Sequence, residues 1–174
     1  MLVRCLFTPP SCVLMAVVSL FVPPSDELML SAWPGASEAF ERERLYVVRL
    51  TSAVGPLPST PGAAETESTL SAARHALETL AHSERKGCSL GAATALVGDW
   101  WPIRRLLDRA AARVGLQAPA PSLPDEASVV EVIGRAADNP ASERALAFGS
   151  EQLLLQHRGL LDLLEARAAA RGDY

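Results

Sequence analysis

The chain has 174 residues, of which 49% are hydrophobic, 21% are charged and 5% are aromatic, and its formal net charge is -4. This length fits one domain with a tail or two small domains, and the charged fraction excludes a disordered polyelectrolyte. The mild acidity gives no general electrostatic reason to bind nucleic acid. No apolar run reaches the roughly 18 to 20 residues that cross a bilayer, so no transmembrane span is predicted.

The composition predicts an all-α protein. Alanine and leucine are abundant, and Lys86 is the single lysine among 16 basic residues. This preference for Arg over Lys is typical of a bacterial protein of GC-rich composition, but Ala, Leu, Arg and Glu are also strong helix formers. The three cysteines, Cys5, Cys12 and Cys88, include no CxxC pair, which excludes a zinc ribbon or finger. A reducing, cytoplasmic location is therefore expected.

Residues 1–28 differ from the rest of the chain. The apolar stretch 12–22 has the length of a signal-peptide core, but Pro9 and Pro10 precede it and no small-x-small cleavage site follows closely. We interpret residues 1–28 as an atypical, poorly ordered segment that a start codon placed too far upstream would explain, with Met29 as the alternative start. A genuine export signal is the other interpretation.

Residues 29–64 are predicted to form a short helix followed by a linker. The helix covers about 37–53 with Ser37 as its cap. The linker spans 55–62, where proline and glycine are concentrated, and we place a domain boundary there. The helical bundle domain is therefore predicted to span 65–174.

The pattern of this domain predicts an up-down helical bundle with two long helices, about 65–98 and 140–171, and two short ones between them. Apolar residues recur at spacings of three and four along each segment. Gly87 and Gly91 lie in the second half of the first helix, where small residues allow a neighbouring helix to approach closely. The short helices would cover only part of the long pair, so apolar surface remains for a second copy and a homodimer is expected.

Two polar residues interrupt the apolar stripes of the long helices. Glu84 lies near the middle of the first and His157 near the middle of the fourth, so antiparallel pairing would bring them together. A buried carboxylate needs such a partner, and a Glu–His pair that fixes helix register is the simplest interpretation. Glu143 extends the same line as His157. The alternative is a site for iron, manganese or zinc, as in ferritin-like bundles, although the Glu-x-x-His motif of those proteins is absent.

Two further clusters are candidates for a site. His75, Glu78 and His82 share one helix face and form a weaker metal-binding alternative, although a solvated face explains them more simply. Trp100 and Trp101 cannot both enter the same core, and Arg105 and Arg109 form a basic ridge beside them. We therefore predict an interface at these two tryptophans and two arginines.

No motif in the sequence indicates catalysis. It contains no phosphate-binding glycine loop, nucleophile elbow or HExxH sequence. The sequence therefore predicts a non-enzymatic helical-bundle protein without a cofactor, which acts by self-association or by binding a protein partner. A metal-binding bundle that uses Glu84 and His157 is the alternative function.

Overall fold

The computed structural model describes residues 34–55, 63–85 and 87–170. These residues form five helices and no strand, so the predicted all-α fold is confirmed. The predictions for residues 1–28, including the signal peptide and poor order, lie outside the described residues. The helices are α1 (Ala36–Val54), α2 (Ala63–Ala81), α3 (Cys88–Arg113), α4 (Glu126–Ala136) and α5 (Pro140–Ala170).

The helix bounds differ from the predicted ones between α2 and α3. The sequence predicts one helix over 65–98, but in the structure one helix ends at Ala81 and the next begins at Cys88, after Gly87, which adopts a left-handed conformation with φ 93°. Glycine has no Cβ and adopts this conformation at little cost, so it can begin a new helix at an angle to the last. Helix α3 then continues through Asp99 and Pro102 without a break. A proline inside a helix removes one backbone hydrogen-bond donor, and the remaining hydrogen bonds keep this helix continuous.

Helices α3 and α5 approach each other more closely than side chains would allow. A Cβ atom added to Gly149 would lie 1.9 Å from the carbonyl oxygen of Cys88, and one added to Gly91 would lie 2.1 Å from that of Leu146. The Ser150 hydroxyl donates a 2.9 Å hydrogen bond to the Gly91 carbonyl at the same crossing. The prediction that Gly91 permits a close helix approach is confirmed, whereas Gly87 precedes α3 as its N-cap.

Helix α1 contributes to the same hydrophobic core as the later helices. Tyr46, Val47 and Leu50 are buried in one cluster with Val97 and Leu153. The domain division predicted at residue 65 stays a prediction, but the described residues on its two sides share this core.

The ends of α4 and α5 follow from their sequences. Asp125 caps α4, and its carboxylate accepts a hydrogen bond from the Ser128 amide. Asn139 does the same for α5 by accepting from the amides of Ala141 and Ser142. The predicted start of α5 at Pro140 is confirmed.

Replacing Gly149 with alanine is expected to destabilise the protein by about 3 kcal/mol, because the added methyl group would overlap the α3 backbone. Urea unfolding followed by circular dichroism measures this effect. Gly134→Ala is the matched control, since nothing lies within 4 Å of its added Cβ. A helical glycine-to-alanine change without a clash should stabilise by up to about 1 kcal/mol. Equal stability of the two variants would contradict the close crossing.

Candidate functional site

Glu43 of α1 and Arg104 of α3 form the most buried ion pair in the described parts of the chain. Their side chains are 1% and 2% exposed, and Arg104 Nη1 lies 2.6 Å from Glu43 Oε2. Removing two charges from water is costly, and the attraction compensates only when the remaining polar atoms are also hydrogen bonded. The surrounding contacts meet this requirement.

The Glu43 carboxylate accepts hydrogen bonds on both oxygens. Trp100 donates its indole N–H to Oε2 over 3.1 Å. Ser122, in the loop between α3 and α4, donates its amide over 2.7 Å and its hydroxyl over 2.9 Å to Oε1. With the guanidinium of Arg104, four donors therefore surround this carboxylate.

The Arg104 guanidinium also has several hydrogen-bond partners. It donates to Asp108 Oδ1 over 2.8 Å and to the Pro119 carbonyl, and it stacks over the Tyr46 ring at 4.3 Å. The Tyr46 hydroxyl donates to the same Asp108 oxygen over 2.8 Å. Burial opposes the charged form of Arg104, but its bonds to Asp108 and Glu43 outweigh this and raise its pKa. Burial, with the hydrogen bond to Asp108, raises the pKa of Tyr46.

This network joins distant parts of the fold, and its central carboxylate is enclosed. Glu43 has almost no exposed surface, and donors already occupy its oxygens. It joins α1, α3 and the loop at Ser122, which are distant in the sequence. The network was not predicted from the sequence. A signal for it exists, since Glu43 interrupts the buried stripe of α1. The other buried residues of that stripe are Ala36, Ala39, Phe40, Tyr46, Val47 and Leu50.

A second buried polar contact joins α3 and α5. His157 is 4% exposed, and its Nδ1 donates to Asp99 Oδ2 over 2.6 Å. Its Nε2 is buried and has no hydrogen-bond partner among the described residues. An aspartate can orient a histidine as a general base, but a substrate must reach the other ring nitrogen. Because Nε2 is buried, this geometry favours a structural contact.

The structure does not pair Glu84 with His157, so that prediction is wrong. Glu84 is exposed in the connection between α2 and α3, because the predicted long helix ends before it. His157 is buried as predicted, but its partner is Asp99. Glu143 is exposed in the first turn of α5 and joins neither residue.

The residues of the weaker metal-binding alternative also form no metal site among the described residues. His75 is exposed, Glu78 lies 3.3 Å from Arg74, and His82 Nδ1 lies 2.8 Å from the Glu78 carbonyl oxygen. Across residues 34–55, 63–85 and 87–170, no group of three His, Cys, Asp or Glu side chains is placed to hold a metal ion. The Cys88 thiol is buried.

The predicted interface residues occupy different environments. Trp100 has no exposed surface and lies in the core beside Glu43, so its indole cannot contact a partner. Trp101 is half-buried, and Arg105 and Arg109 are exposed. The rule that two adjacent indoles cannot share one core is therefore satisfied, with Trp100 inside. An interface at Trp101, Arg105 and Arg109 stays a prediction.

The outward-facing side of α5 carries several large apolar residues. We call this face, between Arg144 and Glu165, the outer surface of α5. Its large apolar side chains are between 42% and 57% exposed, whereas Leu146, Leu153 and Leu160 of the same helix are buried. The exposed set consists of Phe148, Leu154, Leu155 and Leu161.

The model of a family of unknown function, DUF6975, matches residues 24–172 of this chain. No curated protein and no solved structure matches the chain. Among the described residues, no helix combines the length and the apolar character that a membrane crossing requires.

Replacing Arg104 with methionine is expected to destabilise the protein by about 3 to 5 kcal/mol, because Glu43 would stay buried without its cation. Urea unfolding measures the loss. Arg105→Met is the matched control, since the neighbouring side chain is exposed and should change stability by less than about 0.5 kcal/mol. A loss at Arg104 no larger than that at Arg105 would contradict the role of this ion pair.

The raised pKa of Tyr46 predicts a loss of stability at alkaline pH. Its stabilising effect is complete below the ordinary value of 10.0 and disappears as the pH rises above it, because the unfolded chain releases this proton more readily. In a Tyr174→Phe variant, Tyr46 is the remaining tyrosine of the two, so phenolate absorbance reports on it alone. We expect this absorbance to appear only as the protein unfolds, whereas the same variant in urea should titrate near 10. Ordinary titration in the folded protein would contradict the contact with Asp108.

Proposed function

The chain belongs to this family of unknown function, and we propose that it is a non-enzymatic interaction module. It associates with another protein chain through the outer surface of α5. The partner is either a second copy, which gives the homodimer expected from the sequence, or a different protein. We also propose that it does so in the cytoplasm, because the chain has no cysteine pattern typical of a disulfide framework.

The observation that carries this proposal is the exposure of four large apolar residues on one helix. Phe148, Leu154, Leu155 and Leu161 lie within fourteen consecutive residues of α5. Single exposed apolar residues are normal, but a group of them surrounded by charged residues is typical of a protein interaction surface. The other exposed large apolar residues lie on other segments: Leu45, Val48, Val114 and Val130.

The inaccessibility of the buried polar groups supports a non-enzymatic role. Glu43 is enclosed by donors, and His157 Nε2 is buried, so neither is placed to meet a substrate. Catalysis by these groups would require the core to open. The metal-binding alternative stays a prediction that no contact of Glu84 or His157 favours, and elemental analysis of the purified chain tests it.

A photo-crosslinking amino acid in place of Leu155 is expected to give one discrete covalent adduct in the cells that naturally produce this protein. Leu155 is the most exposed leucine of the outer surface of α5, so a bound partner would lie within reach. Gel electrophoresis and mass spectrometry measure the adduct and identify the chain that it contains.

The matched control carries the same amino acid in place of Val130, which is 63% exposed on α4. It should give no discrete adduct. If the yield at position 155 did not exceed that at position 130, the proposed function would be wrong.

A further inference from the structure

We propose that the partner is a second copy of this chain, and that two α5 helices meet antiparallel around a twofold axis between Leu154 and Leu155. This inference rests on the proposed function, because it takes the outer surface of α5 as the binding surface. It goes further by naming the occupant, the direction of the two helices and their register.

The apolar residues of the outer surface are symmetric about that axis. In an antiparallel twofold pair, a residue before the axis lies level with the residue at the same distance after it in the second copy. Phe148 and Leu155 form one row along the helix, and Leu154 and Leu161 form a second row about a third of a turn away. The twofold axis brings each row against the same row of the second copy, so Leu155 meets Leu155 and Leu154 meets Leu154, with Phe148 and Leu161 at the outer ends of their rows. All four exposed apolar side chains are therefore matched with apolar rows.

Four charged residues of the same surface are complementary about the same axis. Glu151 and Arg158 are equidistant from it, and so are Arg144 and Glu165. Each antiparallel facing pair thus joins an acid and a base, and the twofold axis repeats each pair, giving four ion pairs. A parallel dimer in equal register would place each of these charges against its own copy. The charges therefore favour the antiparallel direction and disfavour the parallel one.

These charges are available for such contacts. Arg144, Glu151, Arg158 and Glu165 are exposed, and none makes an ion pair with another residue in the described parts of the chain. Successive members are seven residues apart, so they follow one side of the helix. From the first to the last, the helix extends about 30 Å at 1.5 Å per residue, which gives a long contact between two copies.

Charge reversal in the full-length chain tests the register. Alone, Glu151→Arg or Arg158→Glu would set like charges against each other twice in the dimer. We expect each single variant to raise the dimer dissociation constant about tenfold or more, measured by sedimentation equilibrium. The double variant, Glu151→Arg with Arg158→Glu, should return to the wild-type dissociation constant.

Mixing the two single variants gives a sharper test that does not depend on either one alone. In a mixed dimer, the reversed residue of each copy faces a residue of opposite charge, so the mixture should form heterodimers more tightly than either variant forms homodimers. Circular dichroism confirms that each variant is folded. The matched control reverses the exposed ion pair of α4 through Glu131→Arg with Arg135→Glu, and it should leave the dissociation constant unchanged.

A monomeric wild-type chain would overturn the inference, as would single variants that dimerise as well as the control, or a mixture that forms no heterodimer. The crosslinking experiment separates this failure from that of the proposed function. An adduct at position 155 with a different protein would leave the proposed function standing and refute the second copy. An adduct with the chain's own apolar segment 12–22 would refute both.

Discussion

The arrangement of the helices depends on the crossing of α3 and α5, where the backbones of the two helices are in direct contact. Gly91 and Gly149 leave room for a carbonyl oxygen of the opposite helix, so no side chain separates the two helices there. This contact fixes how α5 is rotated about its own axis. It turns Leu153 and His157 toward α3, and the same rotation places Leu154 and Leu155 outside. The binding surface that we propose thus follows from the position of two glycines.

The buried ion pair performs a different task from the glycine crossing. Apolar contacts alone leave the sliding of one helix along another weakly determined, whereas the donors around Glu43 match only one position of α1. Because Ser122 is among these donors, the loop after α3 is fixed together with α1. The binding surface that we propose on α5 requires a well-defined shape behind it, and such a network provides one.

The sequence predicted the fold class, the close approach at Gly91 and the start of α5, because each depends on local pattern or on residue size. The pairing of polar residues was not predictable in the same way. Glu43 and Arg104 are 61 residues apart and Glu43 and Ser122 are 79 apart, so no spacing rule connects them. The error over Glu84 has a simpler cause. The residue types on either side of Ala81 are compatible with one continuous helix, and the sequence pattern shows neither the end at Ala81 nor the positive φ of Gly87.

The distance along the chain between the partners of Glu43 has a consequence for the order of folding. Among the described helices, α1 leaves the ribosome first during synthesis. The carboxylate of Glu43 can be buried only when Arg104 and Ser122 are available to bond with it. We therefore expect α1 to remain undocked while most of the chain is made. Helix α1, the earliest described helix in the sequence, is then one of the last to pack, and it completes a core that later segments have begun to form.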